Sequence, residues 1–379
     1  MQTIDIEKKR SVPEPTKMPH PVRGKYAIAL AFVSVPVFAL VIYYIFAERA
    51  GFADAIVNSF GLPARRFFGH ISSAVPFSVM EALLAVFALW TFYYVVKTLV
   101  MLFRGPETLL KRLFILVIVA LWIWAGFCYL WGADYYAESF AEKSGLTSGG
   151  SSSRDLAAVT AYFAENASAM SDSVPRGEDG SFDMPAESIL DAFDSAYRGV
   201  ITEFPFLWGP VNAPKSMVFS KIMSRTGFSG IFFPLTGETN INTDMPRALL
   251  PFTVAHELSH QLGVTAEQEC NFLGIAACIS SDNAVYRYSG WLAGLLYTSG
   301  ALYSEDYEKW YELFMSYSEG VRKDFEDNNE YWARWESPIT DAAETVYDGY
   351  LKSQGQELGI KSYGACVDLL IEYYLAAAD

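Results

Sequence analysis

The chain has 379 residues, 52% of them hydrophobic and 16% aromatic, with a formal net charge of -15 and a mean hydropathy of +0.17. That is apolar for a soluble globule and fits a chain that is partly in membrane. The charge is uneven: residues 1–132 carry 13 Lys+Arg against 7 Asp+Glu, and residues 133–379 carry 15 against 36. The split points to two parts in different surroundings. The acidic part excludes nucleic acid as an expected partner, because phosphate binding needs basic patches.

Residues 1–25 read as a short basic tail. Tyr26 to Phe46 is then 21 residues without a charge, long enough to cross a bilayer as a helix and too long for a typical signal-peptide apolar region. Ala82 to Phe103 is a second expected span, with Lys97 placed to snorkel, and Leu113 to Trp131 a third, ending in aromatics suited to the interface. Buried core helices are the other reading, which three such runs in one stretch of chain oppose. Basic residues set the direction. Lys8, Lys9, Arg10, Lys17, Arg23, Lys25, Lys97, Arg104, Lys111 and Arg112 fall on one side, against Arg49, Arg65, Arg66 and Lys143 on the other. The N-terminus is therefore expected in the cytoplasm and everything after Trp131 outside it. In the first loop, Arg65, Arg66, Phe67 and Phe68 read as a segment lying at the interface, and His70 as a side chain at headgroup level.

"TSGGSSSRD", from Thr147, reads as a linker or loop. Beyond it the apolar spacing is mainly helical. Between Ser216 and Asn242 the run "GFSGIFFPLTGETNIN" reads as one or two short strands with a turn. Helices resume after Pro246. The expected class is α+β, mostly α: a three-helix membrane anchor over residues 26–132 and an extracytoplasmic domain over 133–379.

"VAHELSHQLG", from Val254, holds two of the four histidines. On a helix, residues i and i+4 share a face, so His256 and His260 can both point at one Zn²⁺. Glu257 lies about 100° round the helix, beside the metal without ligating it, where it can act as general base and then acid. Val254, Leu258 and Leu262 form an apolar row on the other side, and Gly263 permits a sharp turn after the second histidine. Chance spacing is the alternative, made rare by the small number of histidines.

A third ligand of histidine type is nearly excluded by counting. Only His20 and His70 remain, and residue 266 is Ala. Glu267 and Glu269 lie close by. "TAEQ" reads as a capping box, Thr265 with Gln268, that starts a new helix. On it Glu267, Asn271 and Gly274 share a face, while Glu269 points about 200° away. Glu267 on zinc places Asn271 to hydrogen-bond a ligating histidine, and Gly274 lets the helices approach. Glu269 stays open as the alternative ligand, the simpler reading being a solvated or salt-bridged residue. Tyr286 and Tyr288 are candidates for an oxyanion hydrogen bond, with packing the more ordinary role for either. Cys128 falls in the third span; Cys270, Cys278 and Cys366 leave room for one disulfide if that part is outside the cell.

"TVAHELSHQLG" resembles the zincin metallopeptidase core. The wider set "GIFFPLTGETNIN", "VAHELSHQLG" and "EQECNFLG", behind three N-terminal spans, resembles a bacterial membrane family catalogued as a domain of unknown function and grouped by its motif with gluzincin-like peptidases. The likeness covers most of the chain beyond Gly24. It implies a zincin-like fold and one zinc, but no substrate. It agrees with Glu267, since gluzincins take the Glu four residues before an Asp or Asn. Cys270 stands where Ala is expected. Zincins also pair extended substrate with an edge strand; Gly237 to Asn242, with Glu238 and Asn240, is the candidate, or else a structural hairpin. The expected function is thus a membrane-anchored zinc peptidase acting on a peptide or protein, and the rival is a catalytically silent, zinc-stabilised sensor or scaffold. The motif lies more than one hundred residues beyond the last span, so the site is expected in the domain rather than in lipid.

Overall fold

The computed structural model describes residues 20–49, 51–101, 106–146, 149, 151–354, 356 and 363–378. Residues 1–19 of the expected tail, and Thr147, Ser148 and Gly150 of the expected linker, lie outside them.

The first part is helical: α1 (His20–Phe46), α2 (Phe52–Ile56), α3 (Leu62–Ser72), α4 (Val79–Met101) and α5 (Pro106–Leu130). Val79–Met101 and Leu109–Leu130 are long and apolar enough to cross a membrane. The described apolar stretch of α1, Leu30–Phe46, falls short of that length, so two such helices stand among the described residues where three were expected. α1 lies along α5 in the same direction: the Trp122 indole donates to the Phe32 carbonyl at 2.9 Å and Tyr129 to the Ala39 carbonyl at 2.9 Å. α4 runs against α5, with Tyr94 donating to the Arg112 carbonyl at 3.1 Å.

Next come α6 (Phe140–Ser144) and α7 (Ser153–Met170), each opened by a capping box, Ser139 with Glu142 and Ser152 with Asp155. Short elements follow: α8 (Ala186–Asp191), α9 (Arg198–Glu203), β1 (Lys215–Ser216), α10 (Ser220–Arg225), β2 (Gly230–Phe233) and β3 (Glu238–Ile241). Then come α11 (Leu250–Gln261), α12 (Glu267–Ile279), α13 (Ala284–Glu305), α14 (Tyr307–Ser316), α15 (Glu319–Ala333), α16 (Pro338–Ser353) and α17 (Tyr363–Ala378). Helices α7, α11, α12, α13 and α17 form the core. Phe163, Val254, Leu258, Phe272, Leu273, Leu295 and Leu370 are wholly buried there, and Leu262 completes the apolar row of α11. Gly274 is where α12 meets α11: a Cβ on it would sit 3.0 Å from the His256 backbone nitrogen. Gly263, at φ +99°, turns the chain between these two helices.

α12 starts without the expected capping box. Its N-cap is Ala266, in extended conformation and with no side-chain bond, and the Thr265 hydroxyl and Gln268 carbonyl are buried without partners. All four cysteines are free and buried, so none of them joins a disulfide.

The sheet has the order β1-β3-β2, β3 running parallel to β1 and antiparallel to β2. The strand expected to sit at the edge is therefore the central one. Glu238 and Asn240 are buried in it, and β2 takes the edge. Glu238 faces the first part of the chain instead: its carboxylate accepts the N–H groups of Val79 at 3.0 Å and Met80 at 2.8 Å, at the start of α4. Lys215 pairs with it at 2.5 Å and donates to the carbonyls of Ser72 at 2.7 Å and Phe77 at 2.9 Å. Glu81 returns the arrangement, accepting from the N–H groups of Val218 at 3.0 Å and Phe219 at 2.8 Å. Arg65, expected at the interface, is instead 2% exposed. It pairs in bidentate fashion with Asp134 at 2.8 and 2.7 Å, beyond the end of α5, and lies over the Trp131 ring. Phe67 and His70, on the same helix, are exposed.

Candidate metal centre

α11 is apolar on its core side, which fixes its rotation and turns His256 and His260 towards α12. Their ring centroids are 5.1 Å apart. Glu267, in the first turn of α12, completes the group: one Oε lies 3.3 Å from His256 Nε2 and the other 3.9 Å from His260 Nε2. One ligand atom from each of the three lies within 4.8 Å of the others.

The donors are held from behind. His260 Nδ1 is 2.8 Å from the Val264 carbonyl, which fixes the proton on Nδ1 and leaves the Nε2 lone pair towards Glu267. Cys270 Sγ also lies 3.3 Å from that Nδ1. Asn271 hydrogen-bonds His256. Tyr347, on α16, donates to Glu267 Oε1 at 2.6 Å. The Trp131 ring meets His260 edge-on, with centroids 5.4 Å apart.

Electrostatics follow from burial and this pairing. Burial lowers His260 to about 4, keeping it neutral. Burial acts the same way on His256, but the hydrogen bond to Glu267 and the charges of Glu257 and Glu267 overrule it and raise its pKa. Burial works to raise Glu267, yet the hydrogen bond from His256 and the neighbouring imidazoles hold it at about 2. Two imidazoles and an ionised carboxylate in one cluster are a donor set suited to zinc.

Glu257 stands beside the group on the free side of β2. Burial pushes its carboxyl up to about 8, against a hydrogen bond from the Phe232 N–H. Its Oε2 is buried without a hydrogen-bond partner. Gly230 makes its room: a Cβ there would come within 2.6 Å of Glu257 Oε1. The residues present therefore fit a bound cation with an adjacent, underused carboxylate.

Glu269 points away from the cluster, accepting the N–H groups of Phe140 and Ala141 at 3.0 Å each. Tyr286 and Tyr288 are also elsewhere. The first donates to the Ile189 carbonyl and the second to Asp324. Sequence reasoning missed Tyr347, Gly230 and Trp131. Gly230 was visible only as a glycine in a strand run, a known mark of close approach, and no local signal singles out one tyrosine among 23.

The fold and cluster define a class: a mostly helical α+β chain with membrane-length helices and a His/His/Glu group able to hold a metal. The family described as "Protein of unknown function (DUF3810)" matches residues 58–371, and the chain belongs to it. No curated protein and no solved structure matches.

Proposed function

We propose that the chain is a membrane-anchored, zinc-dependent peptidase of zincin type. The observation that supports this best is the meeting of His256, His260 and Glu267 beside a buried Glu257 whose Oε2 has no partner. Zinc, when bound, supplies a Lewis acid for water and for the scissile carbonyl, and a positive charge that favours the ionised Glu257. Glu257 takes the proton of the attacking water and delivers it to the leaving amine nitrogen as the C–N bond breaks. The Val264 carbonyl keeps His260 in one tautomer, and Asn271 and Tyr347 orient His256 and Glu267. A purely structural site has no use for the unpartnered carboxylate, which weighs against a silent scaffold.

α1 is the third span in this reading. Its parallel run beside α5, and α4 running the other way, put the segments around the start of α1, the end of α4 and the start of α5 on the side opposite the catalytic domain. The ten basic residues of those segments and their edges then lie in the cytoplasm, and the site lies outside it.

Metal analysis of the full-length protein in detergent tests the proposal. Wild type and Glu257→Gln should each carry one zinc per chain, and His256→Ala none. Glu257→Gln should lose hydrolysis of a mixed-sequence peptide library by roughly 10²-fold or more. Unchanged turnover in Glu257→Gln overturns the mechanism.

A further inference from the structure

We infer that the site acts on membrane-tethered polypeptides, cutting them in an extended segment close to where they leave the bilayer; this rests on the peptidase reading. The juxtaposition behind it is between the edge of β2, which no strand among the described residues pairs, and the end of α5. Trp131 directly follows the apolar stretch Leu109–Leu130, and its ring is 5.4 Å from both His260 and Phe232. The cluster thus stands one ring away from the end of a membrane-length helix, despite its distance in sequence. The turn after β2 goes further. Leu235 Cδ2 lies 3.9 Å from where a Cβ on Gly126 would be, more than a helical turn inside that apolar stretch.

Hydrogen bonding shows which groups the edge offers. The Ser229 carbonyl accepts from Asn242, and the register pairs Ile231 with Asn240 and Phe233 with Glu238. By antiparallel alternation, the backbone groups of Gly230 and Phe232 point outward. One of them, the Phe232 N–H, reaches Glu257. A chain added along this edge passes Glu257. Its one end lies near Leu235, at the depth of Gly126. Its other end lies near Ser229, where a groove of about 710 Å³ opens, lined by Phe252, Tyr297, Trp332 and Trp335. Phe252 also faces His256, with ring centroids 6.2 Å apart. The lower end is itself apolar and open, Leu235 being 37% exposed. The edge therefore leads from lipid level, past the carboxylate, into an aromatic groove. A segment just emerging from a bilayer has that course.

The test uses full-length protein in phosphatidylcholine vesicles. The probe is a quenched, mixed-sequence peptide library joined to a single apolar helix by a spacer of about 8 or about 40 residues, at equal surface density so that local concentration is matched. Short-spacer probes should be cut at least about tenfold faster. Equal rates, or faster cutting of the long-spacer probe, overturn the inference while leaving a peptidase. No cleavage of any probe above the Glu257→Gln background overturns the peptidase reading and this inference with it. Spin labels on Leu235→Cys and Ser229→Cys read the geometry independently, since the native cysteines are buried. The first label should be relaxed by oxygen at acyl-chain depth and the second by an aqueous nickel chelate. An aqueous Leu235 label overturns the inference whatever the peptidase result.

Discussion

The Tyr347 hydroxyl donates to Glu267 Oε1 at 2.6 Å, from a position 80 residues further along the chain. It fixes which oxygen of Glu267 is left for other partners, and it joins α16 to the cluster. Partners of this kind behind metal ligands typically govern affinity by about 10–100-fold. Tyr347→Phe should weaken zinc binding by that order in a chelator competition, with the helical circular-dichroism spectrum unchanged. Equal affinity would show that the hydroxyl only packs.

Glu267 and Glu269 separate cleanly by variant. Glu267→Ala should lose zinc. Glu269→Ala should keep it and lose stability, because the Phe140 and Ala141 N–H groups are left without their acceptor, at about 1–3 kcal/mol for a buried unsatisfied group. Zinc lost from Glu269→Ala and kept by Glu267→Ala would reverse the assignment.

Gly230→Ala should behave as a displaced-base variant. A Cβ at 2.6 Å from Glu257 Oε1 forces that carboxylate to move. Zinc content should match wild type while peptide hydrolysis falls by about 10²-fold, the range for a lost acid–base group. Full activity would show that the carboxylate has another place to go.

The metal-free protein should carry a pH signature from Glu257. Its folded-state pKa of about 8 lies above the ordinary 4.5. Its favourable contribution is therefore complete below about 4.5 and is lost as pH rises through 8. In chelator-treated samples, Glu257→Gln should gain in thermal stability over wild type as pH climbs from about 5 to 8. A constant difference across that range would show that the carboxyl titrates normally.

Arg65 and Asp134 are both buried. Arg65→Met should cost about 3–5 kcal/mol by leaving Asp134 unpaired, and adding Asp134→Leu should recover much of it. Denaturation of the single and double variants in one detergent decides this; equal losses in the two would mean that the arginine acts by packing alone.

What could be read ahead of the structure was local. His256 and His260 share a face because four residues make a helical turn. Glu267 and Asn271 follow on the next helix by the same periodicity, and a shortage of histidines narrowed the third position to two carboxylates. What could not be read depended on contacts between distant segments. Strand order placed Glu238 and Asn240 inside the sheet, and no periodicity encodes strand order. Arg65 looked like a headgroup residue until a partner 69 positions away removed it from the surface. Thr265 and Gln268 matched a capping pattern, but the chain enters α12 one residue later, through an extended Ala266.

The exchange of carboxylates between Glu238 and Glu81 makes α4 and the sheet a single lever. Each ties off backbone groups of the other segment, and Lys215 bolts the intervening turn to both. A fragment beginning at residue 133 would keep the whole motif yet lose this fulcrum, leaving Glu238 and Lys215 with only each other. In the intact chain the start of α4 is joined through Glu238 to β3, and β3 through its ladder to β2, whose Gly230 faces the Glu257 carboxylate. For a membrane-anchored enzyme of the kind proposed, these joints would set the height of Glu257 above the lipid.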